Sequence, residues 1–505
     1  MYSFLSNILQ RATSQNISGL LIAAPLLHLC YKIIYAFLFS PVRHVPGPWL
    51  SRVTRLPLLY ATLKLQRTAY ADDLIQKYGP LVVLAPDQVH TNDQEAMKII
   101  YDRTSSKSHF YEGMGSWKGV TVTLGFKTYH EAAPSRNYLI QCFQNRNLAI
   151  LLENLETHCQ RFVDVLEKKS KLGECTDGVY WFRLLALDIV TDVLWGEEKS
   201  LLLNTGNSGT AFLRRFHAFS KWNALKSFIP GADFYVRNFG SFEWKTLRND
   251  CSDMDVSARD ALGRWKNRGE QSHDRDVLSM LLGMGGKDKS WTVPIDDMPA
   301  YMVEMMAAGS STSSHTAAFI CWALMRHPEA QKILRKELFE ASPDINALDL
   351  KNTQTLPYLE AVIKETMRLW PMIPGPLERH LGKSITVNGM IVPPGVIAST
   401  SAYTQGRLES VYPNAEEFCP ERWLNESEDM NINWIPFGTG SRACPGSNLV
   451  LTELRYIVHM TFRNFKAVPP PPDQDSDLEL KDVFAAVTTA GHCWVKFVSQ
   501  PDAIW

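Results

Sequence analysis

Residues Pro436 to Gly446 read PFGTGSRACPG and set a single cysteine, Cys444, among three glycines. Glycines at that density let a backbone bend tightly and approach a flat ligand closely. Leu449, Val450, Leu454 and Ile457 follow with helical apolar spacing, so a helix begins just after Cys444. Its positive amino-terminal end, together with backbone N–H groups aimed at the sulfur, favours a thiolate. A thiolate is the strong, electron-donating axial ligand that haem iron needs. Taken alone, the same residues also suit an ordinary buried cysteine beside a glycine turn.

Two further stretches carry groups of chemical interest. Met302 to Ser313 reads MVEMMAAGSSTS, with small residues at Ala308 and Gly309, hydroxyls at Ser311 and Thr312, and a carboxylate at Glu304. At about 100° per residue, positions 301, 304, 305, 308 and 312 share one helix face. Without the cysteine loop this would read as a small-residue packing face. Glu365 and Arg368 lie three apart on another helical stretch, Leu356 to Pro371. As exposed neighbours they would contribute only ~0.3–0.5 kcal/mol.

These groups need a large frame to hold them. The chain has 505 residues, 45% of them hydrophobic, and a formal net charge of -1. That supports a large core and argues against nucleic acid as a partner. Nine cysteines, at 30, 142, 159, 175, 251, 321, 419, 444 and 493, show no C-x-x-C spacing and no zinc-like cluster. Free thiols in a reducing compartment are the simplest account. The segments Leu151 to Lys168 and Ala300 to Met325 are helical in pattern, and Pro299 suits a first helical turn. Gly79 to Ala85 reads as a strand, and Ile385 to Val392 as a hairpin turning at Asn388-Gly389. The expected class is mainly α with small β-sheets. Lys266 to Asp276 and Gly285 to Ser290 read as exposed connections.

Ile17 to Phe39 is mostly apolar, though it contains Pro25, His28 and Lys32. As a helix it would reach roughly 35 Å at about 1.5 Å per residue, enough to span a bilayer. Residues 1–40 are therefore expected to form a membrane anchor, with 41–50 a stiff, extended proline-rich hinge and 51–505 the catalytic body. Arg43, Arg52 and Arg55 follow the span and only Arg11 precedes it, which predicts a cytoplasmic body.

Phe437, Gly440, Arg442, Cys444 and Gly446 together match F-x-x-G-x-R-x-C-x-G, which closely resembles the cysteine-ligand signature of the cytochrome P-450 superfamily. Other stretches fall in the family's order: Ala308, Gly309 and Thr312 resemble its A-G-x-acid-T helix, Glu365 and Arg368 its E-x-x-R pair, and Pro420 to Trp423 its P-E-R segment. The resemblance runs from the Pro-Gly-Pro near position 46 to about residue 490. It implies a single large haem domain of the P-450 fold, preceded by a transmembrane helix as in the microsomal class. It makes haem b (iron protoporphyrin IX) the cofactor, Cys444 the iron ligand, and Phe437 an aromatic packed on the thiolate side. It assigns Arg442, Arg136 and Arg379 to the haem propionates, and Arg422 to a buried group with Glu365 and Arg368. Arginine suits a carboxylate partner because its fork stays charged and binds bidentately. Two positions depart from the family pattern. Ala132 stands where Trp or His often precedes Arg136, and Ser311 where an acid usually precedes Thr312.

By the same resemblance the enzyme is a monooxygenase. It would take electrons from NADPH through a separate NADPH–cytochrome P-450 reductase, with cytochrome b5 an optional second donor, at the endoplasmic reticulum membrane. The chain itself carries no flavin or nicotinamide fingerprint. One atom of dioxygen would enter an apolar small molecule, with a flavour of fungal secondary metabolism. A haem-thiolate isomerase or dehydratase, and a non-catalytic haem-based binding protein, are the alternatives. Glu304 enters as a candidate substrate contact, holding a basic nitrogen or hydroxyl; otherwise it turns toward a neighbouring helix and an Arg or Lys there.

Overall fold

The computed structural model describes residues 24–499 except 205–206, 229–230, 269–275, 284–292, 342–355 and 476–477. The expected exposed connections near 266–276 and 285–290 therefore lie largely outside the described residues.

Helix dominates. The longer helices are α1 (Leu56–Leu63), α2 (Arg67–Tyr78), α3 (Tyr129–Cys142), α4 (Asn145–Lys171), α5 (Gly178–Trp195) and α6 (Asn207–Phe228). They continue with α7 (Ala232–Phe239), α8 (Phe242–Lys266), α9 (Met298–Arg326), α10 (Pro328–Ala341), α11 (Pro357–Leu369) and α12 (Ser447–Asn464). Local chemistry sets their ends. Thr128 and Glu131 form a reciprocal capping box at the start of α3, and Asp177 caps α5, which stops at a left-handed Gly196. The expected helices appear as α4 and α9, with Pro299 in the first turn of α9.

α9 crosses the middle of the molecule, and from Met298 to Met306 and Ser313 to Met325 nearly every residue is buried. α5 is almost as buried and packs along it, with Trp195 Nε1 donating to the Met302 carbonyl at 3.2 Å. α12 joins α9 where Ser313 Oγ donates to Glu453 Oε1 at 3.1 Å. One hydrophobic cluster unites these helices with α4, α8, α10 and α11.

The strands form minor sheets. They include β1 (Leu81–Ala85), β2 (Gln88–Thr91), β3 (Ser106–Lys107), β4 (Ser116–Trp117), β5 (Val120–Thr121), β6 (Arg379–His380), β7 (Ile385–Val387), β8 (Met390–Val392) and β9 (Ile397–Ser399). The largest sheet has the order β1-β2-β9-β6-β3. β7 and β8 are the expected hairpin, with both Asn388 and Gly389 at positive φ (46° and 76°), as a tight two-residue turn demands.

One amino-terminal expectation changes, and another falls partly outside the described residues. The segment after Pro41 is a docked turn and not an extended hinge: Val42 and Val45 are buried, and Arg52 donates to the carbonyls of Arg43 and Val45. Prolines bar a helix here, but the apolar side chains between them still gain from burial. The expected span is described only in part. Residues 17–23 lie outside the described part, and residues 24–39 are helical or helix-like and mostly exposed. No helix among the described residues is long and apolar enough to cross a membrane.

Candidate active site

Cys444 lies just before α12, whose N-cap is Gly446. The loop that carries it is tied down from both sides. Cys444 N–H donates to the Phe437 carbonyl at 2.8 Å, and Ser441 N–H to the Tyr101 carbonyl at 3.0 Å. Gly440 has φ +65°, and a Cβ there would lie 2.3 Å from the Tyr101 oxygen, so the turn requires glycine twice over. Phe437 is half-buried with its ring edge-on to Trp434, centroids 6.0 Å apart.

Cys444 is exposed by surface area yet enclosed by protein, so its free surface is that of an internal cleft. Burial pushes its thiol up, while the Gly446 and Ser447 amides and Arg136 pull the other way. Burial wins, so a bound cation is what would make the thiolate. Burial likewise raises Cys142, Cys159, Cys251, Cys321 and Cys493. Cys419 sits beside Glu421 and is raised by burial and by that carboxylate.

α9 shows the complementary break in its burial. Ala308 is exposed, and Ala307, Gly309, Ser311 and Thr312 are partly so, in the middle of a buried helix. Thr312 Oγ1 donates to the Ala308 carbonyl at 2.7 Å. The Ser311 carbonyl accepts from Ser314 Oγ at 3.2 Å and bonds His315 Nδ1 at 2.7 Å. A Cβ on Gly309 would meet Val190 of α5 at 3.2 Å, so the helix passes close there.

Three arginines and a lysine gather near the cleft. Arg136 of α3 forks onto the Ala443 carbonyl with Nε at 3.1 Å and Nη2 at 2.7 Å. Arg379 of β6 lies over the rings of Tyr101 and Tyr111 and donates to Tyr111 Oη at 3.2 Å. Arg442 reaches the carbonyls of Phe126, Lys127 and Thr128. Lys107 of β3 is buried and directly opposite Arg379 in the β3–β6 register. Burial and the fields of Arg379, Arg442 and Arg136 push Lys107 well down, and Glu304 opposes them. Arg442 is pushed down to about 10 by burial and by Arg379 and Arg136. Like charges placed opposite each other across a sheet are destabilising. This cluster could hold an anion.

An open thiol at a helix amino terminus, a small-residue helix face in the same core and a cluster of cations fit haem with its two propionates. Lys107 is the member that sequence reasoning missed. It sits on a two-residue strand, and only the register with β6 brings it beside Arg379.

Among the described residues, Glu304 makes no hydrogen bond to an Arg or Lys of a neighbouring helix. Its Oε1 accepts from Leu124 N–H at 2.7 Å and its Oε2 from Thr123 N–H at 3.2 Å. Glu365, Arg368 and Arg422 stand apart from the cleft. Arg368 binds both oxygens of Glu365 at 2.8 Å and reaches the carbonyls of Gly406, Ala415 and Glu417. Arg422 Nε, Trp423 Nε1 and Cys419 N–H complete the Glu365 carboxylate at 3.1, 2.9 and 2.9 Å.

A family model described as Cytochrome P450 matches residues 46–493. The chain is 27% identical over 463 residues to Cytochrome P450 monooxygenase gsfF of Penicillium aethiopicum, covering 87% of this chain and 90% of that protein. It is 26% identical over 455 residues to Cytochrome P450 monooxygenase ABA2 of Pyricularia oryzae, covering 85% of each. With Cytochrome P450 monooxygenase BOA3 of Botryotinia fuckeliana the identity is 26% over 507 residues, covering 95% and 96%.

Proposed function

Because the chain belongs to the cytochrome P450 family and is a monooxygenase, we propose that it inserts one atom of dioxygen into an apolar small molecule, a secondary metabolite. Electrons would come from NADPH through a separate NADPH–cytochrome P-450 reductase. The observation that carries the reading is the coincidence of an open Cys444 thiol with the small, exposed stretch Ala308 to Thr312 in one buried core.

Haem, when bound, supplies the oxygen activation, with a thiolate donating electron density to the iron. Cys444 would hold the metal, and Lys107, Arg136, Arg379 and Arg442 the propionates. Arg136 and Arg442 now spend donors on backbone carbonyls and would turn part of their forks to the carboxylates. Ala308 and Gly309 leave room beside α9. Thr312 donates its own proton to the Ala308 carbonyl, which leaves its lone pairs for a water in the cleft. It would pass a proton at that oxygen. Ser311 brings a hydroxyl and no carboxyl, so water supplies the proton.

We also place the enzyme at the endoplasmic reticulum membrane, body on the cytoplasmic side. Support comes from the exposed apolar residues before Ser40, with Leu27, Leu38 and Phe39 all above 60% exposure. The test is turnover with reductase, NADPH and ¹⁸O₂ in a host supplying candidate metabolites. Product carrying one heavy oxygen per turnover is expected. Product formed without oxygen or NADPH would make the chain an isomerase or dehydratase instead.

A further inference from the structure

Helices α5, α6 and α9 converge on Arg183. α5 runs antiparallel to α9, so that Trp195 meets Met302, Val190 meets Gly309 and Arg183 meets His315. Arg183 Nη2 lies 3.1 Å from His315 Nε2, and its Nη1 bonds His217 Nε2 of α6. A guanidinium has donors and no acceptor, so in both contacts the ring nitrogen accepts and both imidazoles are neutral. His315 then carries its proton on Nδ1, which donates to the Ser311 carbonyl at 2.7 Å. Burial and the field of Arg183 push this ring down to about 4, in keeping with that state at neutral pH.

Charge at this junction is unbalanced. Among the described residues no carboxylate bonds Arg183, and its Nε is buried without an acceptor. Asp177 is the acid whose field reaches it, and Asp177 Oδ1 already takes the Val179 and Cys493 amides at 3.1 and 3.0 Å. Lys221, one turn beyond His217 on α6, adds a second positive charge. Neutral rings satisfy single donors but leave the charge itself uncompensated, and an enclosed cation without a counter-ion is costly. His315, 2% exposed, forms the floor, while His217 is exposed at the mouth. The junction is thus open on one side and lined by a fork with donors to spare.

We propose that Arg183, His217 and His315 form a binding site for a small oxyanion, a phosphate or carboxylate group, where α5, α6 and α9 meet. The anion accepts from the donors of the Arg183 fork that the rings leave free, Nε among them, in the paired geometry that suits such groups. His217 exchanges its contact with Nη1 for one with the anion, to which it presents a ring N–H. Nη2 keeps His315, and through that ring the site stays tied to the Ser311 carbonyl. These residues are distinct from the cations near Cys444, which come from α3, β3, β6 and the cysteine loop. The site stands whether or not the chain is a monooxygenase, since none of its members is assigned to haem.

The test titrates inorganic phosphate into the full haem-loaded chain by calorimetry, with chloride holding the ionic strength constant and acetate as the carboxylate probe. A saturable site of about millimolar affinity is expected for at least one of the two, and the tighter one tells a phosphate ligand from a carboxylate ligand. Arg183→Gln should weaken it by about tenfold or more, and Arg183→Lys nearly as much, since an ammonium keeps the charge and loses the fork. His217→Gln should weaken it by less, about threefold. The bound anion should also raise the melting temperature of the wild type and leave that of Arg183→Gln where it was. If Arg183→Gln does not fold, Arg183→Lys carries the comparison. Equal affinity in the wild type and the Arg183 variants would leave an adventitious ion only and overturn the proposal. So would a wild type that binds neither anion, with Arg183→Gln merely less stable, because Arg183 would then do no more than tie three helices together.

Discussion

Replacing Cys444 by serine removes the sulfur while keeping a side chain of nearly the same shape. The reduced, carbon-monoxide-bound protein should then lose its thiolate-type absorption, whereas Cys419→Ser should keep it, since that thiol sits beside Glu421 and away from the cleft. A Cys444→Ser protein with the wild-type spectrum would refute the ligand assignment. A second residue makes a statement about pH. Glu453 of α12 is fully enclosed, with the Ser313 hydroxyl as the hydrogen bond that draws it down, and burial raises its carboxyl from the ordinary value of 4.5 to about 8. The folded state therefore holds a proton that the unfolded chain releases above about pH 4.5. Its stabilising effect is complete below that pH and is lost as pH rises through about 8. Glu453→Gln should flatten the fall in thermal stability between pH 5 and pH 8.5, measured by melting with haem bound. An equally steep fall in the variant would show that the carboxyl is not the group involved.

At the scale of elements, the buried group around Glu365 ties α11 to the 413–423 segment that precedes the cysteine loop. It holds two arginines around one carboxylate, with Glu365 and Arg368 fully buried, completed by Trp423 and the Cys419 amide. Arg422→Ala removes one cation and leaves Glu365 with less than its full set of donors. A loss of about 3–5 kcal/mol is expected, seen in denaturant unfolding and as reduced haem retention, with Arg422→Lys recovering part of it. A change below 1 kcal/mol would make Arg422 a surface residue. Legibility in the sequence follows the same division. α9, α11, the β7–β8 hairpin and the Cys444 loop announce themselves because periodicity, Asn388-Gly389 and glycine spacing act within a few residues. Lys107 and the partners of Glu304 were not legible. Lys107 owes its place to a two-residue strand paired 272 positions away (379 − 107). Glu304 binds backbone amides 180 and 181 residues distant, and a backbone N–H is the same in every sequence. The expected stiff hinge failed for a related reason: prolines report what a segment cannot be, and the burial of Val42 and Val45 decided what it became.

Among the described residues, apolar surface that the core does not explain includes Trp49 to Leu63, where Trp49, Leu56, Tyr60 and Leu63 are all above 60% exposed, and two further stretches. One is the stretch before Ser40; the other is α7 and the start of α8, where Phe234, Phe239 and Phe242 are 60%, 77% and 85% exposed. Deleting residues 1–40 should move the protein from the membrane fraction to the soluble fraction with its haem intact. A truncated chain that still sediments with membranes would assign the attachment to the Trp49–Leu63 or the α7 surface. The cation cluster bears on the molecule's life before it ever meets a substrate. Lys107 faces Arg379 with Arg136 and Arg442 nearby, and an anionic guest would offset the repulsion among them. Anything that binds only the folded form stabilises it by mass action. A haem held by these residues would then steady the fold as well as supply its chemistry.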